Sequence, residues 1–215
     1  MAMTCRPRRE RLAEMSTGNI AIIDSGGANI ASLLYAIGRL GGSATLTTDG
    51  EFITAADRVI LPGVGAAQDA MTRLRDNNLV DVIRRLTQPV LGICLGMQLL
   101  ADGSEEEDVE CLGIIPGVAN RLPAETACPV PNMGWCPIKK TGQHDILDNV
   151  DQGSYFYFLH SYALPVSDCT LAVAYHANAF SAISCCRNFV AAQFHPERSS
   201  ATGAQLLNNF VGCHT

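Results

Sequence analysis

No stretch of this chain approaches the roughly 20 consecutive apolar residues that a membrane-spanning helix needs, so the sequence predicts a protein that stays in solution. Charge is scarce as well. Charged residues make up 17% of the chain against 47% hydrophobic, a balance that excludes a disordered polyelectrolyte and predicts a packed core. Basic charge is scarcest: the net charge is −6, and Arg6, Arg8, Arg9 and Arg11 are gathered in the first 18 positions. The remainder of the chain is more acidic still and holds no basic patch for a phosphate backbone. The nine cysteines include no C-x-x-C pair, their number is odd, and no secretory hydrophobic segment precedes them. A zinc site and a disulfide framework are both excluded on that pattern, and the thiols are expected to be small buried hydrophobes in a reducing cytoplasm. No metal and no cofactor is expected. Internal repeats and long linkers are also missing, so 215 residues predict one domain with a sizeable core.

Residues 1–18 are polar and Arg-rich without apolar periodicity. They are expected to be a disordered tail, or an artefact if the true start is Met15; a targeting peptide is the alternative, which Glu10 and Glu14 disfavour. The domain is expected over 19–215. It opens with an apolar strand over 19–24, a turn over 25–29, and a helix with Ile30, Leu33, Leu34, Ile37 and Leu40 on one face, stopped by Gly41-Gly42. Strands are predicted at 44–47 and 58–61, one or two helices over 66–86, and a further strand just before Cys94. Strands alternating with helices predict an α/β fold with a mostly parallel sheet, whose ligands bind beyond the carboxyl ends of the strands. After an acidic loop at 105–108, expected to be a solvated surface, the pattern turns to short strand-like pieces at 112–115, 118–122 and 133–138. Stronger strands follow at 155–159 and 171–175, then a hairpin over 180–194 turning at Arg187-Asn188, and a helix over 204–211. The second half is expected to extend the sheet in mostly antiparallel fashion.

One stretch organises the rest. From Pro89 to Leu100 a short apolar run leads to Gly92-Ile93-Cys94-Leu95-Gly96, and an apolar helical pattern resumes. A sharp strand-to-helix turn around a nucleophile needs small residues two positions to either side, because the backbones crowd there. Such a turn lifts the Cys94 sulfur above the sheet and aims a helix N-terminus at it, which favours thiolate over thiol. The plainer alternative is a buried cysteine at an ordinary strand–helix junction. A cysteine nucleophile also needs a base and a group to orient that base. Of five histidines, only His195 follows a buried strand and has a carboxylate close by, in Gln193-Phe194-His195-Pro196-Glu197. In extended backbone, residues two apart point the same way, so Glu197 is expected to reach back to His195. The alternative is a surface turn after an edge strand.

Taken together, Gly92 to Gln98 and Gln193 to Glu197 resemble the class I glutamine amidotransferases. Four further stretches, 61–65, 131–135, 157–162 and 194–199, resemble the glutaminase subunits of imidazole glycerol phosphate synthase within that class. The resemblance runs from about Asn19 to the C-terminus, with the motifs in the family's order. It implies a three-layer, flavodoxin-like fold, glutamine as substrate, and a separate (β/α)8-barrel cyclase subunit in a heterodimer that uses the released ammonia in histidine biosynthesis. It further implies Cys94 as nucleophile, His195 as base and Glu197 as its orienting group. The oxyanion hole would be the Leu95 N–H with the Gly63-Val64 strand, which in this family is thought to flip when the partner is loaded. Gly65, Gly96, Gln98, Ser161 and Tyr162 match glutamine-binding positions. Asn29, Trp135, Tyr157 and Arg198 match the partner face, although Trp135 has core packing as an equal alternative; His160 is expected to be structural. The chain departs from the family where histidine usually precedes Met-Gly-Trp and asparagine comes after it; Asn132 and Cys136 stand there. Competing readings are a glutaminase subunit of another synthase, a free-standing γ-glutamyl cysteine hydrolase, and a non-catalytic binding protein on the same fold.

Overall fold

The computed structural model describes residues 18–26 and 29–212. The expected N-terminal tail, apart from Gly18, therefore lies outside the described residues, as do Gly27 and Ala28 of the expected turn. Strands β1 (Asn19–Ile23), β2 (Ser43–Thr47), β3 (Arg58–Gly63) and β4 (Val90–Cys94) are separated by α1 (Ile30–Arg39), by α2 (Gly50–Ala55), and by α3 (Ala67–Asp76) with α4 (Val80–Arg84). Helix α5 (Leu95–Leu100) comes directly after β4. Then come β5 (Ala101–Ser104), β6 (Val109–Glu110), β7 (Ile115–Arg121), β8 (Asn132–Pro137), β9 (Lys139–Lys140), β10 (Tyr155–His160) and β11 (Tyr162–Ala163). The chain closes with β12 (Thr170–His176), β13 (Asn178–Cys186), β14 (Phe189–Ala192) and α6 (Ser200–Gly212).

The main sheet has the order β2-β1-β3-β4-β14-β13-β12-β9. Its first five strands are parallel and the last three antiparallel. The parallel strands are apolar on both faces, as a sheet covered on two sides must be. Ile20, Ile22, Ile60, Leu91 and Ile93 pack with α1 and α6, while Ala21, Ile23, Val59, Leu61 and Val90 pack with α2 to α5. That period of two divides the molecule into three layers.

The second half is more divided than its pattern predicts. Only β13, β12 and β9 extend the main sheet; β14 returns to pair in parallel with β4, and the hairpin turns at Arg187-Asn188 as expected. β8 and β10 form a separate antiparallel ladder, and β11-β7-β5-β6 a third sheet. The expected strand at 112–115 is a loop, because Gly113 adopts φ +63° and the N–H groups of residues 112–114 bond back to the carbonyls of Leu99, Ala101 and Leu100. Helix α2, capped by the Asp49 carboxylate, was not legible in six residues, and α6 begins four residues earlier than its apolar pattern. The acidic loop is not simply solvated: Glu105 accepts from the Arg121 N–H at 2.8 Å and Glu106 from the Ala67 N–H at 3.2 Å. Among the described residues no helix is long and apolar enough to cross a membrane.

Candidate active site

Cys94 ends β4 in the interior of the main sheet, flanked by β3 and β14, with Gly63 opposite it in register. Its backbone sits at φ 54°, ψ −110°, a conformation that costs an L-residue of order 1–3 kcal/mol and persists only where its surroundings impose it. The imposing contacts are visible. A Cβ on Gly96 would fall onto the carbonyl oxygen of Leu61, and one on Gly92 would lie 2.7 Å from the Leu100 side chain. With glycine at both places α5 can start immediately after the sulfur, and the turn expected from the sequence forms. The Sγ lies 3.6 Å from the Leu159 carbonyl and 3.9 Å from Gln193 Nε2.

His195 emerges just past β14. Its loop is clamped to β10: the His195 N–H donates to the Tyr157 carbonyl at 2.9 Å, the Ser199 hydroxyl donates to the His195 carbonyl at 2.6 Å, and Phe194 stacks on Phe156 at 4.0 Å. Glu197 reaches back as predicted, though by another geometry. Pro196–Arg198 is one turn of 3-10 helix, with proline at its favoured first turn, and not extended backbone. The Glu197 Oε1 lies 2.9 Å from His195 Nδ1, with both side chains nearly buried. Burial alone would depress the imidazole. Hydrogen bonds to Cys94 and Glu197, with the charges of both, outweigh that and raise it to about 10. The net effect favours the protonated imidazole, held between the Cys94 sulfur and the Glu197 carboxylate. Glu197 Oε2 is buried and has no hydrogen-bond partner among the described residues, so its charge is compensated chiefly through His195.

Cys94 and His195 open into a cavity of about 310 Å³, at the lower end of the range for small-molecule sites. Val64, Gly65, Leu95, Gln98, Ser161 and Tyr162, all singled out from the sequence, line it. Gly96 does not; its place is set by packing against Leu61. Gly63 faces a narrow crevice on the other side of His195, shared with Asn29, Val64 and Glu197. The Gln98 nitrogen donates to the Tyr162 carbonyl at 3.0 Å and to Gln193 Oε1 at 3.3 Å, so what Gln98 presents to a ligand is its amide oxygen. Two residues were missed. Glu106 lines the cavity, but nothing in a run of four acidic residues set it apart. Gln193 is fully buried, and the signal was available: a polar residue directly after the apolar run Phe189 to Ala192. Among the described residues no three His, Cys, Asp or Glu side chains come together as a metal site, and the described cysteines are free thiols.

Of the four expected partner-face residues, three cluster. Trp135 and Tyr157 are cross-strand neighbours on β8 and β10, edge-to-face at 6.1 Å, and the Arg198 guanidinium lies 4.5 Å over the Tyr157 ring. Trp135 is 50% exposed, which decides against core packing, and Met133, Tyr155 and Leu159 extend the same apolar face. Exposed apolar side chains gathered in this way are what an interaction surface requires. Asn29 lines the narrow crevice that also holds His195 and Glu197.

The sequence matches the glutamine amidotransferase class-I family over residues 21–213. The "Imidazole glycerol phosphate synthase subunit HisH 2" of Legionella pneumophila (strain Paris) is 50% identical over 192 residues, covering 89% of this chain and 96% of that protein. The "Imidazole glycerol phosphate synthase subunit HisH" of Idiomarina loihiensis is 48% identical over 193 residues, covering 90% and 97%. Among solved structures, a "glutamine amidotransferase" superposes with a TM-score of 0.69 at 16% identity, covering 89% of this chain and 96% of that one. The CTPS glutaminase domain of Trypanosoma brucei superposes with a TM-score of 0.61 at 17% identity, covering 92% and 95%, and like the first it speaks to the fold alone. The fold, the elbow at Cys94 and these matches lead to one conclusion: the chain belongs to the class-I glutamine amidotransferase family.

Proposed function

We propose that this chain hydrolyses glutamine to glutamate and ammonia and delivers the ammonia to a separate (β/α)8-barrel cyclase subunit of imidazole glycerol phosphate synthase. The observation that carries the reading is the buried Cys94–His195–Glu197 set at the mouth of a cavity sized for one amino acid. The Cys94 thiolate attacks the side-chain amide carbon of glutamine, forming the C–S bond and pushing the carbonyl electrons onto oxygen. The Leu95 N–H and the Gly63-Val64 strand receive that oxyanion. His195 gives its proton to the amide nitrogen, the C–N bond breaks, and ammonia leaves a glutamyl thioester. Water then adds to the thioester with His195 as base, releasing glutamate and restoring the thiolate. Glu197 holds the imidazole throughout. Glu106 supplies the negative charge for the substrate's ammonium, and Ser161 and Tyr162 sit where its carboxylate would bind.

The apolar ladder of Met133, Trp135, Tyr155, Tyr157 and Leu159 supports an assembly role, since it adjoins the triad through the Tyr157 carbonyl bond to His195. The same reading sets the chain in the cytoplasm, as one half of a heterodimer. It is tested by trapping: an electrophilic glutamine analogue, with peptide mass spectrometry as the readout, should label Cys94 and spare Cys111, whose thiol burial pushes up to about 11. Absence of label at Cys94, with and without the cyclase, would refute the reading.

A further inference from the structure

Asn132 and Cys136, the two departures from the family pattern, lie on the inward face of β8 beneath the exposed Met133 and Trp135. Their hydrogen bonds determine one another. The Tyr162 carbonyl can only accept, so His160 Nδ1, 2.9 Å away, carries a hydrogen. Burial, partly offset by that bond, lowers the His160 pKa to about 4, so the ring is neutral and Nε2 is a bare acceptor. The Asn132 side-chain nitrogen, 3.0 Å away, donates to it. That orients the amide and turns Asn132 Oδ1 to the Cys136 thiol, which donates over 3.6 Å. A thiol at 136 is thus the donor that an asparagine at 132 requires. The Tyr162 carbonyl, anchored at one end of this line, is also the acceptor for Gln98, whose nitrogen continues to Gln193 and through it to the Cys94 sulfur.

We propose that Asn132 is a positioning residue for the glutamine cavity: through His160 it anchors the Tyr162 carbonyl, and through that carbonyl it sets Gln98 and the Ser161-Tyr162 wall against the nucleophile. The inference rests on the glutaminase reading. It also gives β8 two duties, an outward face of Met133 and Trp135 and an inward side chain that orders the substrate wall.

Asn132→Leu keeps the approximate shape of the side chain and removes its hydrogen bonds. In the full chain assembled with the cyclase subunit and its nucleotide ligand, the KM for glutamine rises about five- to tenfold while kcat stays within about threefold, because the lost order falls on substrate binding. Asn132→His, which keeps an N–H donor, restores KM to within about twofold. Should the leucine variant fail to fold, Asn132→Ala, which removes the donor and adds neither bulk nor charge, gives the same split. In 15N spectra of the histidine-labelled full chain, assigned with His160→Gln, wild-type His160 carries its hydrogen on Nδ1. A hydrogen on Nε2, a KM unchanged in Asn132→Leu beside an active wild type, or a fall in kcat without a rise in KM overturns this inference alone. A wild-type complex without glutaminase activity overturns the glutaminase reading and this inference with it.

Discussion

Replacing Glu197 separates what its charge does from what its position does. Glu197 Oε1 is 2.9 Å from His195 Nδ1 in a nearly water-free setting, and its second oxygen has no other partner among the described residues. Glu197→Gln keeps an acceptor for the Nδ1–H and removes the charge. A hydrogen bond to a charged partner contributes about 1.5–3 kcal/mol against about 0.5–1.5 for a neutral one, so the difference is near 1.4 kcal/mol. That equals about one pKa unit, so His195, raised to about 10 in the native site, should titrate lower by about that much. The sign comes from the charges: without the carboxylate, the imidazolium is less favoured and gives up its proton at lower pH. The basic limb of the kcat/KM profile moves down by the same amount, and thioester hydrolysis, in which His195 takes up a proton, slows about tenfold. Glu197→Ala adds a buried, unsatisfied Nδ1–H, a further cost of about 1–3 kcal/mol, which takes the loss to roughly a hundred- to a thousandfold. The assay is the pH profile of glutamate release beside an NMR titration of His195. A His195 titration and a rate unchanged in both variants would refute the account of Glu197.

The same geometry sets the outcome of other perturbations. Trp135→Ala should leave the melting temperature of the isolated chain within about 2 °C, because the ring is half exposed, yet weaken binding to the cyclase at least thirtyfold, the scale of an aromatic hot spot of about 2 kcal/mol; equal affinity by calorimetry would remove the ladder from the interface. Gly96→Ala should yield little folded protein, since its Cβ meets the Leu61 carbonyl oxygen; a soluble, active variant with a normal melting curve would show that the elbow tolerates a side chain. His160, neutral and buried, makes stability fall as pH drops from about 6.5 to about 4, where the unfolded chain binds the proton and the folded one does not. The loss is about 3 kcal/mol across that window, and denaturant titrations of His160→Gln should show a correspondingly flatter pH dependence.

The parallel half of the fold was legible because its signals are local. Apolar runs of four to six residues, amphipathic helices and glycine stops recur from Asn19 to Leu100, and each strand pairs with others of the same kind. The candidate set was legible for a different reason: Gly92 and Gly96 bracket Cys94, and a proline and a carboxylate come after His195, two local patterns that left plainer alternatives open until they were read together. The second half was less so. Whether β10 joins the main sheet or pairs with β8 is decided by which face finds a partner, and alternation along β10 is the same in either case. Gln193 and Glu106 acquire roles only when strands distant in sequence meet around one cavity. The line from Asn132 to Cys94 crosses five elements, β8, β10, β11, α5 and β4, by way of Gln193, and leaves no short motif.

Coupled glutamine hydrolysis is most directly tested by glutamate release from glutamine, measured for the chain alone, for the chain with the cyclase subunit and its nucleotide ligand, and for Cys94→Ala in the same complex. The expected result is low activity alone, a rise of orders of magnitude in the loaded complex, and none in the variant. High activity that ignores the cyclase, or activity that survives Cys94→Ala, would contradict it.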